Sequence, residues 1–182
     1  MFYMFLADGF EEAEALVTLD LMRRADINVK TVGIGSDTIL GTHSIRVFAD
    51  MKESDFDLSE CEGIILPGGM PGTENLYENP TVIKALEYCF ENKKLIAAIC
   101  AAPIIPGRKG RLKSLKAVCF PGFEDELLNA EIKNSPCVSD DSFITAKGAG
   151  CVFEFAHAII RYVINTETAD KIISVIQHDK IS

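Results

Sequence analysis

The chain has 182 residues, 48% of them apolar and 25% charged, with a net charge of −9. That is enough for one domain over residues 1–182 with a sizeable core and no covalent staples. The acidic balance argues against nucleic acid or an anionic membrane as partner, since both call for a basic face, and no apolar run approaches the ~20 residues of a membrane span.

The apolar opening from Met1 to Ala7 lacks a basic lead and is cut short by Asp8. It reads as a first strand, Phe2–Leu6, rather than a signal peptide. A helix follows over Glu11–Ala25, where Ala15, Leu16, Leu19 and Met22 recur at helical spacing. Val29–Ile34 is a second strand, and Ile39–Phe48 an antiparallel excursion around Gly41. Gly63–Leu66 is a buried strand, Pro80–Asn92 a helix, and Leu95–Ile99 another buried strand. Lys116–Cys119 and Ser142–Thr145 complete the strands, with a helix around Glu124–Leu128 between them. Cys151–Ile164 and Thr168–Gln177 are closing helices. This alternation predicts an α/β fold: a doubly wound, mostly parallel sheet with helices on both faces.

In such sheets ligands bind beyond the carboxyl ends of the strands. The loops there carry Asp8-Gly9-Phe10-Glu11-Glu12-Ala13-Glu14, Pro67-Gly68-Gly69, Cys100, the run from Phe120 to Glu124, and Lys147-Gly148-Ala149-Gly150. Cys100 stands where an apolar strand meets the small-residue run Ala101-Ala102-Pro103, a strand-to-helix corner of the nucleophile-elbow kind. Unpaired N–H groups and a partial positive charge at a helix start favour thiolate, so the corner predicts a lowered thiol pKa. Its partner is expected among Glu11, Glu12 and Glu14. Glu11 and Glu14 share a helix face at i, i+3 while Glu12 points elsewhere. A carboxyl buried beside a thiol holds its proton and can shuttle it, although acids in a first helical turn also simply favour the dipole and face water. The Gly69 and Ala101 N–H groups can cradle a carbonyl oxygen, and a plain tight turn is the alternative. The glycines lack the following lysine of a phosphate loop.

The six cysteines form no C-x-x-C pair, which suggests reduced thiols in a cytoplasmic setting. Cys61, between Glu60 and Glu62, reads as an unreactive surface thiol; Cys89 and Cys151 read as packing residues and Cys119 as core. His157 reads as a satisfied core residue and His178 as exposed. No zinc signature is present, and neither a metal nor a cofactor is expected.

The first-loop run ending at Glu14, Leu66-Pro67-Gly68-Gly69, Ala97-Ala98-Ile99-Cys100-Ala101-Ala102-Pro103 and Gly148-Ala149-Gly150 together resemble the ThiJ/PfpI superfamily, in the clade of the Parkinsonism-associated protein deglycase. The similarity runs essentially end to end, through a single domain related to class I glutamine amidotransferases. It implies a flavodoxin-like sandwich, a homodimer, Cys100 as nucleophile and redox-sensitive thiol, Glu14 as its partner, and Gly69 and Ala101 as backbone donors. The chain departs from some relatives. Phe120 stands where several carry a histidine, so a Cys–His dyad from that loop is unavailable. Ala101 replaces the histidine that follows the nucleophile in the intracellular protease branch, which disfavours a peptidase. The His-x-Glu pair of the amidotransferases is missing, and Pro106-Gly107 interrupts the helix after the elbow.

Two functions are expected from this. One is a cysteine-dependent, cofactor-independent glyoxalase or deglycase-like enzyme acting on small aldehydes, reactive dicarbonyls or glycated adducts. The other is a non-enzymatic redox sensor or stress chaperone using the same cysteine.

Overall fold

The computed structural model describes residues 1–178. Its first half runs β1 (Phe2–Leu6), α1 (Glu12–Arg24), β2 (Val29–Gly33), β3 (Thr38–Leu40), β4 (Arg46–Phe48), β5 (Met51–Lys52), β6 (Gly63–Leu66), α2 (Gly72–Glu78) and α3 (Pro80–Glu91). The second half runs β7 (Leu95–Ile99), α4 (Ile104–Arg108), β8 (Lys116–Ala117), β9 (Glu131–Ile132), β10 (Cys137–Asp140), β11 (Phe143–Ala146), α5 (Val152–Val163) and α6 (Thr166–Val175). Seven strands form one sheet in the order β10-β11-β7-β6-β1-β2-β5. Only the β10–β11 pair is antiparallel.

Both faces of this sheet are dry, and the period-2 alternation of each strand sorts its side chains between two cores. Met4, Leu6, Ile65, Ala97 and Ile99 join α1, α5 and α6 through Leu19, Met22, Phe155, Ile159 and Ile172. Tyr3, Phe5, Ile64, Ile96 and Ala98 face the other way, onto Leu76, Val82, Leu86, Cys89 and Ile105 of α2, α3 and α4. The hydrophobic runs of the sequence are continuous because neither face meets water.

The helix boundaries follow their caps. The Asn79 side chain accepts from the Thr81 and Val82 N–H groups ahead of Pro80, fixing the start of α3. Asn165 accepts from Thr168 N–H, so α6 begins at Thr166, two residues earlier than the sequence pattern suggests.

Three elements differ from expectation. The strand expected over Lys116–Cys119 stops at Ala117 and pairs with β9 outside the main sheet. Its next N–H, that of Val118, donates to the Thr145 hydroxyl at 3.0 Å instead of continuing a ladder. The helix expected around Glu124–Leu128 is a single 3-10 turn, Glu124–Glu126, too short to offset the cost of nucleation. After the elbow, α4 has only five residues, Ile104–Arg108. Pro106 sits in its first turn, where the missing N–H has no partner to lose, and Gly107 N–H still donates to Pro103 O.

The strand order reverses direction on either side of β1, because β2 lies on one flank and β6 on the other. The loops leaving β1, β6, β7 and β11 therefore open onto one edge, at the switch point where α/β sheets take ligands.

Candidate active site

Sheet register builds the site before any side chain is considered. Leu66 pairs with Ala98 and Ile99 with Ala146, and continuing those rows brings Gly68 and Lys147 alongside Cys100. Cys100 has φ +65°, the left-handed backbone that few residues other than glycine adopt and that an elbow demands. That turn is held by Cys100 N–H donating to Ala146 O at 2.9 Å and Cys100 O accepting from Phe120 N–H at 2.7 Å. The thiol is left half-buried at the mouth.

Two glycines let the neighbouring loop approach this closely. A methyl on Gly68 would lie 2.6 Å from Cys100 Cβ and 2.7 Å from Glu14 Oε2, distances no carbon side chain tolerates. Gly69 has φ +89° and lies so tightly on the first loop that its Cβ would meet Glu11 N at 2.4 Å. Glu11 N–H donates to Gly68 O at 2.9 Å, tying the two loops together. Gly68→Ala is expected to push the thiol and the carboxyl apart, slowing alkylation of Cys100 at least tenfold and destabilising the fold by about 1–3 kcal/mol. Urea melts and a rate assay read both effects, and a variant matching wild type in each would show slack in these loops.

Glu14 is 1% exposed and Glu12 is 5% exposed, so these acids of the first helical turn do not face water. Glu14 Oε2 accepts from Gly68 N–H at 2.8 Å. Its other oxygen is buried with no hydrogen-bond partner, and the carboxyl also interacts with the Cys100 side chain. Burial is the main reason the Glu14 carboxyl keeps its proton up to about 7; the bonds from Cys100 and Gly68 pull the other way.

The thiol does not behave as the sequence predicts. Burial, then the adjacent Glu14 charge and hydrogen bond, push Cys100 up to about 12. The Ala101 and Gly69 N–H groups both reach the sulfur and oppose that rise without overcoming it. The expected lowering leaned on a helix start, but α4 begins only at Ile104 and has too few aligned peptides to supply much field. Cys100 and Glu14 therefore act as one couple, sharing protons between sulfur and carboxyl. When the proton sits on Glu14, the neutral carboxyl donates to the thiolate, and the repulsion that raised the thiol disappears.

Of the three glutamates, Glu14 meets Cys100. Glu12 turns to the β3–β4 hairpin instead, where its Oε1 accepts from the His43 and Ile45 N–H groups at 2.8 and 3.3 Å. Burial opposes its charge, but these bonds, with that of the His43 ring at 3.1 Å, hold the carboxyl below its ordinary value. Glu11, Glu12 and His43 offer ligand atoms within 4.8 Å of one another, yet both Glu12 oxygens are engaged in holding the hairpin turn.

Phe120 and Gly148 form the wall the sequence left unassigned. A methyl on Gly148 would lie 3.3 Å from the Phe120 ring and 4.0 Å from Cys100 Sγ. Phe120 is 46% exposed, so the mouth is apolar where a histidine would have been basic. His157 is occupied elsewhere, its Nε2 2.8 Å from Asp170. His178, expected to be exposed, is half-buried with its ring 4.4 Å from Phe153. Cys119 is buried as expected. Cys61 is not a surface thiol: it is fully buried, with its sulfur 3.6 Å from that of Cys89.

Residues 2–162 match the sequence profile of the DJ-1/PfpI family. The chain belongs to that family. The Parkinson disease protein 7 homolog of Danio rerio is 31% identical over 172 residues, covering 92% of this chain and 91% of the relative. The Caenorhabditis elegans protein named glutathione-independent glyoxalase DJR-1.2 is 28% identical over 165 residues, covering 90% of this chain and 88% of the relative. Against the longer Arabidopsis thaliana protein DJ-1 homolog B, the match spans 85% of this chain but 36% of the relative. The solved structure of oxidized Toxoplasma gondii DJ-1 superposes with a TM-score of 0.94 at 28% identity, covering 98% of both chains. The flavodoxin-like architecture of DJ-1/PfpI proteins is thus the architecture of this chain, and among its described residues no helix is long and apolar enough to cross a membrane.

Proposed function

We propose that the chain is a cysteine-dependent, cofactor-independent glyoxalase or deglycase-like enzyme acting on small reactive dicarbonyls or their early adducts, and that it works as a single domain. The observation that carries this reading is Glu14, a buried carboxyl holding its proton up to about 7 beside the elbow thiol. A base that titrates near neutrality is what proton transfer between adjacent carbons requires. The C. elegans relative named as a glyoxalase supports the same chemistry.

In this reading the couple enters the reaction holding one proton. The sulfur adds to the aldehyde carbon of a compound such as methylglyoxal, and that proton passes to the carbonyl oxygen, giving a hemithioacetal and leaving Glu14 as carboxylate. Glu14 removes the hydrogen from the former aldehyde carbon while the hydroxyl proton passes to the ketone oxygen, giving an enediolate, and Glu14 then returns its proton to the neighbouring carbon. The adduct becomes a thioester of a 2-hydroxy acid, with no net oxidation. Water then cleaves the thioester, releasing lactate and restoring the thiol. The Gly69 and Ala101 N–H groups, which solvate the sulfur before attack, follow the negative charge to the adduct oxygen. The Phe120 wall keeps the mouth apolar and offers no histidine to activate water for peptide cleavage.

The test is the purified chain with methylglyoxal and no glutathione, metal or other addition. Lactate is the expected product, and its absence would remove this reading. A second reading, redox sensing through Cys100, is supported by a relative solved in an oxidized form. Mild peroxide should then add two oxygens at Cys100 in a chain that leaves methylglyoxal untouched. A homodimer and a cytoplasmic location are part of the proposal, resting on the family resemblance and on the six free cysteines.

A further inference from the structure

We propose that Cys61 and Cys89 form a second, separate redox site, a buried dithiol that peroxide converts to a reversible intramolecular disulfide. Cys61 leads into β6 and Cys89 lies on the inner face of α3, and their sulfurs are 3.6 Å apart. Closing to the ~2 Å of a disulfide needs small side-chain rotations rather than movement of an element. The pair sits at the opposite end of the parallel strands from Cys100, roughly 20 Å away at the rise of an extended chain, so it is independent of the chemistry proposed there.

The two thiols are unlike each other, as an attacking and a resolving sulfur should be. The sulfur–sulfur hydrogen bond, in which either atom can donate, is the main cause that holds Cys61 down, assisted by the nearby Lys94 ammonium, and that holds Cys89 up. Lys94 is fixed there, donating to Cys61 O at 2.5 Å and to Glu62 at 3.0 Å. Cys61 directly follows two single 3-10 turns, Glu53–Asp55 and Leu58–Glu60, in which no residue is buried. Phe56, packed on Tyr3 and Phe5, anchors the segment between them. Such a segment opens locally without disturbing the sheet and admits a molecule as small as hydrogen peroxide.

The Cys61 thiolate attacks one peroxide oxygen; the S–O bond forms, the O–O bond breaks, and hydroxide leaves and is protonated to water. Cys89 sulfur then attacks the sulfenic sulfur; the S–S bond forms, the S–O bond breaks, and a second water leaves with the Cys89 proton. Two thiols give up two electrons and one peroxide becomes two waters. A small dithiol reverses the step by exchange.

The experiment treats the full chain, both wild type and Cys100→Ser, with mild hydrogen peroxide. Remaining thiols are blocked with N-ethylmaleimide in denaturant, and the product is digested without reductant for mass spectrometry. A Cys61–Cys89 linked peptide is expected in both chains, with a loss of about 2 Da in Cys100→Ser for the two hydrogens removed, reversed by dithiothreitol. In Cys89→Ser the link should vanish and dimedone should trap a sulfenic acid on Cys61. Full alkylation of both cysteines after peroxide, or a link joining Cys61 to another cysteine, would overturn the proposal. The wild-type digest decides the matter even if a variant folds poorly.

Discussion

Cys100→Ser is expected to reduce lactate formation from methylglyoxal by at least about 10³-fold, to the level of the uncatalysed reaction. Oxygen in place of sulfur keeps the volume, the φ +65° elbow and the backbone bonds to Ala146 and Phe120. What it removes is an atom able to add to a carbonyl while sharing its proton with Glu14. A hydroxyl is far more basic once deprotonated, so the proton stays on it and no nucleophile forms. The melting temperature should be nearly unchanged, which separates lost chemistry from lost structure. Retained turnover in a folded Cys100→Ser would show that the sulfur is not the attacking atom.

Glu14→Gln is the second large effect. It preserves the bond from Gly68 N–H but cannot accept or return a proton, so kcat should fall by about 10²–10⁴. The pH profile carries the sharper signature. Glu14 holds its proton up to about 7. Below that pH the couple carries two protons and lacks a base; above it, one proton remains to be shared. Wild-type kcat/KM should therefore climb as pH rises through about 7 and then level off, and Glu14→Gln should show no such climb. The same burial has a stability consequence. A free glutamate titrates near 4.5, and raising it to about 7 in the folded chain means that ionisation destabilises the fold. The stability linked to this group is fully present below 4.5 and is lost as pH rises through about 7. The loss is on the order of 3 kcal/mol, and Glu14→Gln should escape it in urea melts at pH 5 and pH 8. A wild-type pH profile flat between those values would mean that Glu14 is not the group that titrates.

The legible parts of this molecule were those written locally. Leu95–Ile99 reads as a buried strand because nothing polar interrupts it, and Ala101-Ala102-Pro103 marks the elbow because only small residues can crowd there. From these the parallel sheet, its open edge and Cys100 follow. What was illegible depended on pairing between distant segments. Glu11, Glu12 and Glu14 are equivalent as letters; the hairpin amides of His43 and Ile45 claim Glu12, and the pairing of β1 with β6 delivers Gly68 N–H to Glu14. Strands β5 and β10, only two and four residues long, carry no pattern to read. The thiol pKa is not legible from the elbow pattern because a short α4 weakens the dipole, and burial beside a second acid decides the sign. Cys61 misled for a related reason: its sequence neighbours are acidic, but its spatial neighbours are Cys89 and Lys94.

The candidate site is assembled from residues 14, 68, 100 and 148, one from each of four successive stretches of the chain. Until β1, β6, β7 and β11 have docked side by side, Glu14 is an ordinary solvated acid and Cys100 an ordinary thiol. On the proposed chemistry, a polypeptide still being synthesised, or one partly unfolded by heat, would be dormant toward aldehydes. A site completed only when the last of these strands locks in would keep the chain from derivatising itself while it matures.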